Sequence, residues 1–175
     1  MAATSSRQLK NICVLSRFHY ENYKEFVQAP IDIGRAITER KLHLVYGGGD
    51  QGLSKLVSEA AFIRGSQVLG IIPKSLKPLG CMPNPQTGEE LVVSNMQERI
   101  SQMLNHAYAF IFLPGDLTTL EALITFASWA HLNIHKKPIA YKPEPDLMTL
   151  ALDWATNDDG NNPRKKCKLY LTLRL

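Results

Sequence analysis

The stretch Tyr46-Gly47-Gly48-Gly49-Asp50-Gln51-Gly52 constrains this chain more than any other. It satisfies G-x-G-x-x-G, and it stands between a short apolar run, Leu42 to Tyr46, and an amphipathic run, Leu53 to Arg64. Glycines accept positive φ and let backbone N–H groups come close to an anion. A helix that starts just after such a turn adds partial positive charge at its N-terminus. Strand, glycine loop and helix in this order predict a phosphate-binding turn. The competing structural reading is a tight strand-to-helix connection with no ligand.

The rest of the chain repeats the same grammar. Leu9 to Leu15, Gln67 to Ile72, Glu90 to Val93, Tyr108 to Leu113 and Lys137 to Tyr141 read as further strands. Helical spacing covers Tyr20 to Arg40, where Pro30 predicts a kink or a fresh helix start. It recurs over Met96 to Asn105 and Thr118 to Leu132. Lys74 to Gly88 is rich in proline and glycine and reads as a loop. Alternating strands and helices predict a single Rossmann-like α/β domain, a parallel sheet with helices on both faces. The expected organisation is a flexible N-terminus over 1–8, the nucleotide-binding domain over 9–141 and a divergent tail over 142–175. In that tail Leu147 to Ala155 suits a short helix and Lys168 to Leu175 an edge strand.

Size and charge narrow the function classes. A chain of 175 residues buries enough surface to fold without disulfides or metals. The net charge of +4 comes from Arg164, Lys165, Lys166, Lys168 and Arg174 near the end. That is a solvated terminus rather than a nucleic-acid stripe, which would interleave basic residues with aromatics along one element. Cys13, Cys81 and Cys167 are odd in number and far apart, and no CxxC or HxxxH pairing suggests a metal. They suit a reducing cytosol, and Cys13 reads as a buried small hydrophobe. His43, His131 and His135 read as surface or helix-end residues. No apolar run approaches the roughly 20 residues of a membrane span, and Met1 to Lys10 shows no secretory h-region.

The ligand reads as a mononucleotide or sugar phosphate. A dinucleotide fingerprint wants an acidic residue about 20 positions beyond the glycines. Here the next strand ends Ile71-Ile72-Pro73-Lys74, with no carboxylate. A second strand-to-helix turn, Leu113-Pro114-Gly115-Asp116-Leu117-Thr118-Thr119, offers capping hydroxyls. In an open parallel sheet both turns lie at the carboxyl ends of strands, where ligands bind. Arg99, at the start of a predicted helix, is by spacing alone an ordinary surface residue.

Taken together, these segments resemble the "lonely guy" family of cytokinin riboside 5′-monophosphate phosphoribohydrolases, long labelled possible lysine decarboxylases. Val45-Tyr46-Gly47-Gly48-Gly49 with Gly52-Leu53 matches the family's VYGGG-x-x-GL. Met96-Gln97-Glu98-Arg99 resembles its MHERK segment, and Pro114 to Leu120 its PGGxGTxxE segment. Trp129 to Leu132 and Ile134 to Ile139 follow its usual continuation. The resemblance runs from about Asn11 to Ile139. It implies a cytoplasmic homodimer, with the nucleus as a further location, that hydrolyses the N-glycosidic bond of a nucleoside 5′-monophosphate. It implies no cofactor, metal, nucleic acid or membrane partner. Gly47, Gly48, Gly49, Gly52, Pro114, Gly115, Thr118 and Thr119 would hold the phosphate, and Arg99 would be the catalytic arginine. A pyridoxal-phosphate lysine decarboxylase would need a much larger chain and a recognisable Schiff-base lysine.

The departures bear on activity. The family's CGSSSG loop is replaced by Ser16-Arg17-Phe18-His19-Tyr20-Glu21. Asp116 and Thr118 stand where glycines belong, Ile100 stands in place of the lysine, and the final glutamate falls on Ala122. Glu121, the candidate catalytic carboxylate, lies roughly 100° away around the helix. Two readings follow: an N-glycosidase of altered or reduced activity, or a homologue that binds a mononucleotide without turnover.

Overall fold

The computed structural model describes residues 10–16, 27–49, 52–77, 87–113, 115, 117–141 and 169–171. Their order is β1 (Asn11–Leu15), α1 (Gln28–Glu39), β2 (His43–Tyr46), α2 (Gly52–Ile63), β3 (Val68–Pro73), a 3-10 turn (Lys74–Leu76), β4 (Glu89–Val93), α3 (Met96–His106), β5 (Ala109–Phe112), α4 (Leu117–His131), β6 (Ile139–Tyr141) and β7 (Leu169–Leu171).

The strands make one sheet in the order β4-β3-β2-β1-β5-β6-β7, and every pairing is parallel. This is the expected Rossmann-like α/β architecture. Side chains alternate between the two faces of each strand, which divides the core in two. Ile12 and Val14 of β1, Leu44 of β2 and Ile111 of β5 pack with Ile33, Ile37, Leu53 and Val57 from α1 and α2. Cys13, Val45, Phe110 and Phe112 pack on the opposite face with Met103 of α3 and Leu123 and Phe126 of α4. Phe110 stacks on Phe126 at 4.2 Å between ring centroids with 26° between the planes, a contact that adds to simple area burial.

Most predicted elements lie within two residues of their observed ends. Pro30 is the third residue of α1, so the fresh-start reading holds: its fixed φ and missing N–H suit a first helical turn. The part of the predicted helix over 20–26, the proposed Leu147 to Ala155 helix and most of the Lys74 to Gly88 loop lie outside the described residues. So do Cys81 and Cys167. The expected edge strand in the tail appears as β7, in register with β6 from Ile139↔Leu169 to Tyr141↔Leu171.

Two histidines differ from expectation. His131 ends α4 exposed, as predicted, but His135 is only 8% exposed. Its Nε2 meets the Phe126 carbonyl at 2.9 Å and its Nδ1 accepts from the Lys137 N–H at 3.1 Å. Both ring nitrogens are used by main chain, so this imidazole is a brace between α4 and β6. Nδ1 of His43 accepts from the Gln67 N–H at 3.1 Å, while its Nε2 is buried without a partner. Burial holds the pKa of both rings below the ordinary 6.5, and at His135 the Lys137 charge adds to this, opposed by the Phe126 carbonyl. Cys13 is fully buried, as expected.

Candidate phosphate and sugar cleft

The strand order reverses at β1: β2, β3 and β4 extend to one side, β5 and β6 to the other. At such a switch point the connections leave in opposite directions, opening a crevice beyond the carboxyl ends of the strands. A cleft of about 390 Å³ lies there, reached by Leu15 and Ser16 at the end of β1. One wall is α3, through Met96, Gln97, Arg99 and Ile100. The other is α4, through Thr118, Thr119, Glu121, Ala122, Thr125 and Trp129. Thr118, Ala122, Thr125 and Trp129 follow the i, i+4, i+7, i+11 spacing of one helix face.

The N-terminus of α3 is held by a reciprocal cap. The Asn95 side chain accepts from the Glu98 N–H at 2.8 Å, and the Glu98 carboxylate accepts from the Ser94 N–H at 2.7 Å. The bonds from Ser94 keep the Glu98 carboxyl below its ordinary range. This cap fixes the turn that carries Arg99. Lys137 serves the other end: its ammonium donates to the carbonyl of Leu104 and, at 2.5 Å, to that of Ala107. A cation there complements the helix dipole.

Arg99 is no free surface residue. Its Nη2 donates to the Gly47 carbonyl at 2.9 Å and its Nε to the Ile71 carbonyl at 3.1 Å. It also lies near Cys13, whose thiol burial pushes up to about 12 against the opposing pull of Arg99 and Lys137. The thiol therefore stays protonated and unreactive. Ser54 Oγ donates to the Ser16 carbonyl at 2.5 Å, tying α2 to the cleft floor.

The structure brings Arg99, Glu121, Thr118 and Thr119 to one cleft, where Arg99 and Glu121 are the charged lining residues among those described. Gly47 adjoins it through Arg99. Gly48, Gly49 and Gly52 have positive φ of 70°, 86° and 75°, as the glycine loop predicts, but they do not line this cleft. Gly115 borders a shallower recess with Leu117, Leu120 and Tyr141, which shares Thr119 with the main cleft. Pro114, Asp50, Gln51 and Asp116 lie outside the described residues. Ala122 is buried in the cleft wall, whereas Glu121 is exposed on the same lining.

Sequence reasoning did not name several of the lining residues as site residues. Trp129, Thr125 and Met96 line the cleft, and the helical periodicity of α4 could have named the first two once Thr118 was placed there.

Comparison with known proteins identifies the family and the fold. Residues 54–143 match the family described as possible lysine decarboxylase. A probable cytokinin riboside 5′-monophosphate phosphoribohydrolase of Oryza sativa subsp. japonica is 44% identical over 131 residues, 75% of this chain and 56% of that protein. Two such enzymes of Arabidopsis thaliana, the second described as probable, are 42% and 40% identical, over 79% of this chain and 63% and 69% of theirs. The chain thus spans little more than half the length of the first of these relatives. Among solved structures, the molybdenum cofactor binding protein of Rippkaea orientalis superposes with a TM-score of 0.62 at 16% identity, covering 87% of this chain and 88% of that one. The molybdenum cofactor carrier protein of Chlamydomonas reinhardtii gives 0.61 at 14% identity, over 82% and 84%. At these identities the likeness is one of fold.

Proposed function

We propose, for a chain that belongs to the lonely guy family of cytokinin riboside 5′-monophosphate phosphoribohydrolases, that it hydrolyses the N-glycosidic bond of a nucleoside 5′-monophosphate to free base and ribose 5-phosphate. The observation that carries this reading is the convergence of Arg99, Glu121, Thr118 and Thr119 on one cleft at the switch point. The oxygen of a water bonds to C1′ of the ribose as the bond to the base nitrogen breaks; the electron pair leaves with the base, and one proton of the water ends on that nitrogen while the other stays on the new C1′ hydroxyl. Positive charge develops on the sugar, so a carboxylate close to it lowers the barrier. In this reading Glu121 is that carboxylate, and Arg99 is the cation that orients the substrate. Thr118 and Thr119 hold the phosphate at the cleft wall in this reading. The other residues assigned to the cradle are Gly47, Gly48, Gly49 and Gly52 of the glycine loop, outside the cleft lining, with Pro114 and Gly115, the N-termini of α2 and α4 contributing their dipoles.

A second copy of the chain belongs to this reading. Leu117, Leu120 and Ile124 form an exposed apolar face of α4, with Leu117 82% exposed. A two-fold pairing would cover this patch on both copies at once. Light scattering should give twice the chain mass, and a monomer would remove this part of the proposal. The compartment proposed is the cytoplasm, with the nucleus as a second site. Among the described residues no helix is long and apolar enough to cross a membrane.

The buried Ala122 favours a second reading, a mononucleotide binder without turnover. Both are tested by incubating the protein with an adenosine-type 5′-monophosphate and measuring free base. Release by wild type that Arg99→Ala abolishes supports the enzyme, and equal release by both proteins removes the role of Arg99. A thermal shift without release supports the binder, and neither shift nor release contradicts both.

A further inference from the structure

The parallel ladder between β2 and β3 runs through Leu44↔Val68, Val45↔Leu69 and Tyr46↔Gly70, and there it ends. The next pair in register is Gly47 and Ile71. Arg99 joins their carbonyls, through Nη2 and Nε. The guanidinium thus spans the two strands one step past their last rung. A planar fork with fixed N–H directions suits this bridging, and a lysine ammonium cannot reproduce it.

Gly47, next to this bridge, is explained by it. Gly47 does not have positive φ, so its backbone does not require glycine. A Cβ at 47 would instead fall on Arg99 Nη2. Gly48 turns the chain with φ +70°, and a Cβ there would meet the Ile72 Cβ at 2.8 Å. Gly49 follows with φ +86° and open space where its Cβ would be. One arginine therefore pins the last extended residue, and the main chain then swings outward through the two that follow.

We propose that Arg99 is a positioning residue: it substitutes for the missing rung between β2 and β3 and so fixes the main chain of Gly48 and Gly49. Beyond its place in the cleft wall, Arg99 then also acts on a phosphate ligand through the loop amides. That last consequence rests on the nucleotide reading above, whereas the placement of the loop does not. A residue acting only from the cleft side would leave the free loop unchanged when removed.

The test compares wild type with Arg99→Lys, Arg99→Ala, Gly47→Ala and the double variant Gly47→Ala/Arg99→Ala. Amide hydrogen exchange is read over residues 47–53 in the free protein, and ribose 5-phosphate affinity is read by titration. Loss of charge-assisted bonds to two carbonyls should speed loop exchange by about tenfold or more in Arg99→Ala, with an intermediate value in Arg99→Lys. Exchange in α1 should stay unchanged. Gly47→Ala should match Arg99→Ala, and in the double variant it should add roughly nothing, because the clash partner is gone. Ribose 5-phosphate should bind about tenfold more weakly to each single variant. Should Arg99→Ala not fold, Arg99→Lys and Gly47→Ala still carry the comparison. Unchanged loop exchange in the Arg99 variants, or effects of the two substitutions that multiply, would overturn the proposal. Failure of wild type to bind ribose 5-phosphate, with the exchange pattern as expected, would instead reject the nucleotide reading and leave the positioning role standing.

Discussion

Gly115 lies flush against Thr119: a Cβ at 115 would fall on the Thr119 hydroxyl, Cβ and methyl group. Thr119 is buried and lines both the main cleft and its shallower neighbour. Gly115→Ala should therefore push Thr119 out of place. Overpacking of this kind costs about 1–3 kcal/mol, which for a chain of this size lowers Tm by roughly 2–4 °C per kcal/mol. Affinity for a 5′-monophosphate should fall with it. Thermal melting and titration of the variant check this, and unchanged values in both would show that Thr119 does not depend on Gly115.

The carboxylate is the second test. Glu121 and Ala122 share the cleft lining, but the charge sits on the exposed member of the pair. If Glu121 stabilises the developing sugar cation, Glu121→Gln should reduce base release by about 100-fold or more while leaving mononucleotide affinity within a few-fold. Ala122→Glu returns a carboxylate to the family position and should raise turnover. Full activity in Glu121→Gln would take this carboxylate out of the reaction.

His135 predicts an acid-sensitive fold. Its pKa lies below the ordinary 6.5 because burial, and then the Lys137 charge, disfavour the imidazolium, with the Phe126 carbonyl in partial opposition. Below pH 6.5 the unfolded chain takes up a proton that the folded ring resists. Stability therefore falls as pH drops from about 6.5 toward the folded-state pKa, and it is flat with respect to this group above that window. His43 shifts in the same direction through burial and adds to the slope. Melting between pH 7.5 and 5.5 should show wild type losing Tm more steeply than His135→Gln. Parallel curves would show that His135 stays uncharged in both states or charges equally in both.

Much of this was legible in the chain itself. Short apolar runs and 3.6-residue periodicity located the strands and helices because each strand of a covered parallel sheet is buried on both faces and each helix on one. The glycine loop announced its positive φ values at Gly48, Gly49 and Gly52. Gly47 obeyed the same motif for another reason, its contact with a side chain 52 positions away. No local pattern encodes that contact, or the bond from Arg99 to Ile71. His135 was misplaced for a related reason. A polar residue between Ile134 and Lys136 reads as exposed, and only the fold reveals that the Phe126 carbonyl and the Lys137 N–H satisfy both its nitrogens.

The proposed reaction joins recognition of a 5′-phosphate and cleavage of the bond to the base in this one cleft. The most direct measurement compares base release from a nucleoside 5′-monophosphate with release from the same nucleoside lacking phosphate, under identical conditions. Release from the monophosphate is expected, with kcat/KM at least about 100-fold above that for the nucleoside, since phosphate anchoring would position the sugar. Equal rates for the two compounds would contradict it, as would base release from neither.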